Sequence, residues 1–368
     1  MTYNLHTQLV QLGNGKDPLT GAISSPIHLS ATYAHPGLGQ STGYDYTRTK
    51  NPTRNTLEEG LAVLEGGARS VVTSSGMSAV QLIFQLFNPG AKFFVSRDLY
   101  GGSFRYFEHL EAQGLASFAY FDSEEELATL VNEDGAVDAI FIETPTNPLM
   151  REVDIEAIAK VTKEVGALLI VDNTLLTPLR QRPLDLGADL VIHSATKYLT
   201  GHNDILAGVV VAKDADIGEK LFWLSNTTGS TLSPFDCWLF IRSLKTLAVR
   251  LDRQEATARE LVKWLESQDR IQATLYAGQG AMISIRLASE DHIGPFLENL
   301  KVFTYAESLG GVESLITYPT TQTHADIPQD LRESYGLTPD LLRLSIGLED
   351  PQDLINDIQT ALDATLKG

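Results

Sequence analysis

Between residues 68 and 212, six short apolar or β-branched runs alternate with stretches of helical spacing: Ser70 to Thr73, Phe93 to Ser96, Ala139 to Glu143, Leu168 to Asp172, Leu190 to His193 and Gly208 to Ala212. Several are continuous rather than alternating in polarity, as strands are when helices cover both faces of their sheet. The pattern predicts an α/β domain with a mostly parallel sheet, whose functional groups gather beyond the carboxyl ends of the strands. Ser75, Gly76, Met77, Tyr100, Asn147, Asp172 and Lys197 all follow such runs.

The flanks read differently. Residues 1–60 are rich in Gly, Pro, Ser and Thr and show little periodicity before a helical pattern at Leu57 to Leu64. An irregular arm of this length is expected to lie across another surface, such as a second subunit. It carries the cluster Gly43-Tyr-Asp-Tyr-Thr-Arg-Thr-Lys-Asn-Pro-Thr-Arg54. Near Ser233 a long helix is expected to start and to run through Leu239 to Leu265, followed by alternating strands at Met282 to Leu287 and Leu342 to Ile346. Helical spacing closes the chain at Leu354, Ile355, Ile358, Leu362 and Leu366. The expected division is an arm at 1–60, an α/β large domain at 61–235 and a smaller α+β domain at 236–368.

Charge narrows the partners. Lys and Arg total 28 against 47 Asp and Glu, a formal net charge of -19, which argues against nucleic acid or an anionic membrane as partner. An anionic small ligand then needs local donors such as helix N-termini and a few arginines. The single cysteine, Cys237, excludes an intrachain disulfide and suits a reducing compartment. The N-terminal residues lack the basic and apolar regions of a signal peptide, and no stretch approaches the length of a membrane span, so a cytoplasmic location is expected.

Val71 to Val80 reads as strand, small-residue turn and amphipathic helix, an arrangement whose backbone N–H groups can approach a phosphate. Asp172 ends a buried strand, where a carboxylate is costly unless a strong partner is fixed beside it. Lys197 follows another strand, with Ser194 and Thr196 beside it; held in a poorly hydrated pocket, a lysine becomes a nucleophile for carbonyl compounds. The eight histidines contain no metal-ligand spacing, and no metal is expected. A phosphate turn, a buried Asp, an aromatic Tyr100 and a lysine together match the needs of pyridoxal 5′-phosphate.

The chain also resembles the Cys/Met-metabolism, or transsulfuration, family of pyridoxal-phosphate enzymes along nearly its whole length. The matching blocks are Tyr44 to Arg54, Ser75 to Ala79, Asp98 to Ser103, Glu143 to Pro148, Val171 to Thr174, Ser194 to Tyr198, Glu307 to Gly311 and Leu342 to Gly347. The resemblance implies the aspartate-aminotransferase-like fold, fold type I of pyridoxal-phosphate enzymes, in a homotetramer built as a dimer of dimers. Gly76, Met77, Ser194 and Thr196 would hold the phosphate, with Tyr46 and Arg48 reaching it from a neighbouring subunit. Tyr100 would stack on the ring and carry protons, Asp172 would face the ring nitrogen, and Lys197 would anchor the cofactor and act as the base.

Arg343 would clamp the substrate carboxylate, with Asn147 and Ser308 nearby, and Asp45 and Glu307 would meet the distal ammonium of a sulfur amino acid. The implied activity is carbon–sulfur cleavage of L-cystathionine to cysteine, 2-oxobutyrate and ammonia, with some cleavage on the β side. The alternatives are condensation of an O-acylhomoserine with cysteine, and a non-catalytic pyridoxal-phosphate-binding regulator. Methionine as the substrate is disfavoured by Gly102, where such enzymes usually carry cysteine.

Overall fold

The computed structural model describes residues 3–15 and 17–366. The outermost residues of the expected arm and C-terminal domain, 1, 2, 367 and 368, lie outside the described residues, as does 16. Seven strands form the large sheet: β1 (Arg69–Thr73), β2 (Ala91–Ser96), β3 (Ala116–Phe121), β4 (Ala139–Glu143), β5 (Leu168–Asp172), β6 (Leu190–Ser194) and β7 (Gly208–Ala212). Their order is β1-β7-β6-β5-β4-β2-β3. β7 runs antiparallel to both β1 and β6, and the remaining pairings are parallel. Every residue of β4 and β7 is buried, which explains their unbroken apolar sequences.

The second sheet contains β8 (Ile271–Leu275), β9 (Met282–Leu287), β10 (Thr304–Tyr305), β11 (Leu315–Thr317) and β12 (Leu341–Ser345), in the order β10-β11-β12-β9-β8. β9 and β12 alternate in polarity, yet both are buried almost throughout. Their polar face turns towards the large sheet rather than to water: the Ser284 hydroxyl donates to the carbonyl of Pro148 at 2.6 Å, and Arg343 reaches Asn147. One apolar core runs from Leu57 and Val72 through Tyr198 and Phe240 to Ile283, Leu344 and Leu354, joining the two sheets.

Three local expectations are corrected. β3 went unrecognised: it pairs only with β2, at the sheet edge, and its sequence Ala-Ser-Phe-Ala-Tyr-Phe is only partly buried. The single long helix is two, Pro234–Leu244 and Leu247–Leu265. At the break, the Thr246 hydroxyl donates to the carbonyl of Ser243 at 3.1 Å, a local bond that competes with the helical ladder. The arm is not wholly irregular, because Asn4 caps a helix at Leu5–Gln11 and Asn51 caps another at Pro52–Glu65. No helix among the described residues is long and apolar enough to cross a membrane.

Candidate active site

The carboxyl ends of the parallel strands and one edge of the second sheet enclose a cavity of about 200 Å³. At one end, Ser75 caps the helix Gly76–Phe84, its hydroxyl oxygen accepting from the Ser78 N–H at 3.0 Å. That bond leaves the N–H groups of Gly76 and Met77, at the positive end of the helix dipole, for a ligand. Gly76 is required by closeness: a Cβ there would lie 2.9 Å from Cβ of Ser194. β7 passes beneath the same turn, and a Cβ at Gly208 would come within 2.1 Å of the Ser75 carbonyl oxygen. The Ser194 side chain faces the cavity, whereas the Thr196 hydroxyl donates to the carbonyl of Ala207 at 3.2 Å and accepts its N–H at 3.1 Å. Thr196 can therefore offer a ligand mainly its remaining lone pair unless that hydroxyl turns.

Lys197 lies in the loop after β6, in a turn closed by the Gly201 N–H donating to the Lys197 carbonyl at 2.8 Å. Its Nζ donates to Oγ of Ser308 at 3.2 Å. Burial, reinforced by the positive charge of Arg343 and opposed by Glu307, lowers its pKa from 10.5 to about 8. At about 1.4 kcal/mol per unit, that favours the neutral amine by roughly 3 kcal/mol. The loop is packed from above by Gly310, whose φ is 78° and where a Cβ would come within 2.6 Å of the Tyr198 backbone nitrogen, leaving no room for a side chain.

Two carboxyl groups line the same cavity from neighbouring strand ends. Asp172 ends β5, and its Oδ1 accepts from the Thr174 N–H at 3.0 Å and hydroxyl at 2.5 Å. Oδ2 meets no protein donor among the described residues and lines the cavity. Beside it, in register across the β4–β5 pair, stands Glu143, whose Oε2 accepts from the Tyr100 N–H at 2.8 Å. Burial raises both carboxyls, and for Glu143 the charge of Asp172 is the next largest cause, holding it well above the usual range. Two close carboxylates in a dry pocket oppose each other's ionisation, and the Thr174 donors favour the charged form of Asp172, which leaves Glu143 the more strongly raised of the two. Glu143 had no role assigned from sequence; its signal was the one that exposed Asp172, a carboxylate ending a buried strand.

The opposite wall belongs to β12. Arg343 is 2% exposed, donates through Nη1 to Oδ1 of Asn147 at 2.9 Å, and through Nη2 to the Ser308 carbonyl at 2.9 Å and the Thr317 hydroxyl at 3.0 Å. Burial lowers its pKa to about 10, which still leaves it cationic at neutral pH. Its Nε is buried without a partner, an unmet donor that a carboxylate would satisfy. Tyr100 forms a side wall; burial and the nearby Glu307 raise its phenol. Glu307 lines the mouth while remaining exposed.

Lys197, Tyr100, Gly76, Met77, Asp172, Ser194, Thr196, Arg343, Asn147, Ser308 and Glu307 thus share one cavity, and three expected residues do not. Tyr46 is half exposed, Arg48 donates to the Asn226 side-chain oxygen at 3.1 Å, and Asp45 binds the Ser41 hydroxyl at 2.6 Å and His35 at 3.2 Å, all in the arm outside the cavity of their own chain. The cavity fits pyridoxal phosphate on its own chemistry. It offers two helix-start N–H groups at a cradle that a Cβ would fill, an open carboxylate oxygen and an amine with a lowered pKa. Among the described residues no group of three or more His, Cys, Asp or Glu could hold a metal ion.

A sequence profile described as "Cys/Met metabolism PLP-dependent enzyme" matches residues 6–363. The chain is 52% identical over its full length to the cystathionine gamma-synthase/O-acetylhomoserine (thiol)-lyase of Bacillus subtilis (strain 168), covering 99% of that protein. It is 43% identical to the cystathionine gamma-lyase of the same organism, with 97% of this chain and 98% of that one aligned. The structure of cystathionine gamma synthase from Xanthomonas oryzae pv. oryzae in complex with cystathionine superposes with a TM-score of 0.97 at 40% identity, covering all of both chains.

Proposed function

The chain belongs to the Cys/Met-metabolism family of pyridoxal-phosphate-dependent enzymes, and from that membership we propose that it is a cystathionine γ-synthase. It would exchange the acyloxy group of an O-acylhomoserine for the sulfur of cysteine, giving cystathionine and a free carboxylate. The observation that carries this reading is that the chain is nearer, end to end, to the cystathionine gamma-synthase/O-acetylhomoserine (thiol)-lyase of B. subtilis (52% identical) than to the cystathionine gamma-lyase of the same organism (43%). The family resemblance of the sequence places cleavage of cystathionine ahead of condensation, and the greater identity to the synthase reverses that order.

Pyridoxal phosphate, when bound, supplies an electrophile for the substrate amine and an electron sink for charge at the α and β carbons. Arg343 would grip the α-carboxylate through its unmet Nε, with Asn147 fixing the guanidinium plane. Lys197, whose pKa is lowered to about 8, would take the α proton and then move protons to and from the β carbon. Tyr100 would stack on the ring, and its phenol, kept protonated, would donate to the departing acyl oxygen. The Asp172 carboxylate would hold the ring nitrogen protonated, while Gly76, Met77 and Ser194 bind the phosphate.

Tyr46, Arg48 and Asp45 complete the site only from a second copy, so the assembly in this reading is at least a dimer, and a tetramer of paired dimers. The three-part division at residues 60 and 235 is kept with it. A second reading, cleavage of cystathionine, is favoured by Glu307 at the mouth, where it could hold a distal ammonium group. Product analysis decides between them. Rapid formation of cystathionine from an O-acylhomoserine and cysteine, outpacing release of 2-oxobutyrate or pyruvate from cystathionine, is the expected outcome; the reverse ratio would replace the synthase by the lyase.

A further inference from the structure

The peptide group joining Leu99 to Tyr100 is held from both sides. Its N–H donates to Oε2 of Glu143 at 2.8 Å, and its carbonyl lies 3.3 Å from Nε2 of His324. The same Nε2 stands 3.1 Å from the carbonyl oxygen of Asn147, and the Thr323 hydroxyl is 2.8 Å from Nδ1. Only an N–H can satisfy two carbonyl oxygens, so Nε2 carries the proton and Nδ1 accepts from Thr323. Burial and the charge of Arg343 push His324 down to about 3, so the imidazole remains neutral and its donor stays in place across the physiological range.

These two residues come from different parts of the chain. Glu143 ends β4, and His324 sits in the segment between β11 and the helix Gln329–Ser334. That segment lies directly on the start of the helix Gly101–Ala112, where a Cβ at Gly101 would come within 2.2 Å of the Thr323 carbonyl oxygen. Tyr100 is the N-cap of that helix, and its side chain makes no cap bond. What fixes its backbone therefore comes from outside the helix.

We propose that Glu143 and His324 are positioning residues that clamp the Leu99–Tyr100 peptide and so set the plane of the Tyr100 ring in the cavity. The proposal rests on the reading of Tyr100 as the ring that stacks on the cofactor. His324 extends the clamp further, because it also holds the backbone of Asn147, whose side chain accepts from Arg343. One neutral imidazole thus ties the tilt of the stacking ring to the grip on the substrate carboxylate.

The test compares holoenzymes by visible circular dichroism per bound cofactor and by cofactor retention on dialysis. Glu143→Leu and His324→Phe should each change the dichroism and weaken retention about tenfold, the scale of a buried hydrogen bond left unmade. Glu143→Gln and His324→Gln, which keep an acceptor and a donor at those atoms, should stay within about threefold of wild type. Wild-type signals in both apolar variants overturn the clamp, as do glutamine variants impaired to the same degree as the apolar ones. Tyr100→Ala separates the two ideas: a wild-type signal there defeats the stacking reading itself, whereas loss there with intact clamp variants defeats only the clamp. If an apolar variant does not fold, the wild-type Tyr100 amide decides, since exchange with deuterium at the rate of an open loop would overturn the proposal and protection like that of the core strands would support it.

Discussion

Lys197 and Gly102 show how single residues govern this site. The reactive form of Lys197 is its neutral amine, and its pKa of about 8 in the protein, against 10.5 when exposed, defines the pH window. In cofactor-free protein, capture of pyridoxal by this lysine should accelerate from pH 6 to about 9 and then level off, as followed by absorbance. A rate that keeps climbing to pH 11 would contradict the lowered pKa. The same burial has a thermodynamic sign. Below pH 8 the fold bears the full cost of a charged buried amine, and that cost fades between about 8 and 10.5, where only the unfolded chain holds the proton.

Gly102 acts through space rather than charge: a Cβ there would lie 2.4 Å from Cε1 of Tyr100. Gly102→Cys should turn that ring and alter the spectrum of the bound cofactor, with kcat/KM falling about tenfold or more, because small misplacements in a site are amplified in rate. Single residues were legible in sequence where chemistry is unusual for its place, as with Lys197 and Asp172. His324 was not, since a buried neutral histidine is marked only by the carbonyls around it, which come from residues 99 and 147.

Elements were legible where burial is complete. The runs that became β4, β5, β6 and β7 are apolar because helices or the second sheet cover them, and their ends then place Glu143, Asp172 and Lys197. β3 was hidden by its edge position, and the break at Lys245 and Thr246 by apolar spacing that continues across it. The helix Gly76–Phe84 offers a direct test of an element's contribution. Ser75→Ala removes its side-chain cap and should cost about 1 kcal/mol of stability. It should also loosen the phosphate site, because Gly76 and Met77 present their N–H groups only while the first turn is intact. Thermal melting and cofactor titration, run together, would reveal whether the two losses coincide.

At the scale of the whole molecule, the arm is the part whose sequence could be read and whose destination could not. Tyr46 and Arg48 lie outside the cavity of their own chain, and in the proposed dimer they would reach the cavity of another copy. Mixing inactive Lys197→Ala with Arg48→Ala protein under conditions that exchange subunits should restore activity. Random pairing into dimers would leave about a quarter of all sites intact. No recovery after demonstrated exchange would show that each chain serves its own site.

The position of β7, between β1 and β6, has a consequence in time. β1 carries the phosphate turn and β6 the lysine loop, and within the sheet β7, which comes later in the chain than either, lies between them. Bringing residue 69 beside residue 212 closes a loop that spans most of the large sheet, a step whose entropy must be met before its contacts form. The two ends of the cofactor's bed therefore come together late in folding. During refolding from urea, helical signal should return first, and the capacity to retain pyridoxal phosphate should appear with the slowest phase, the pairing of β1 with β7.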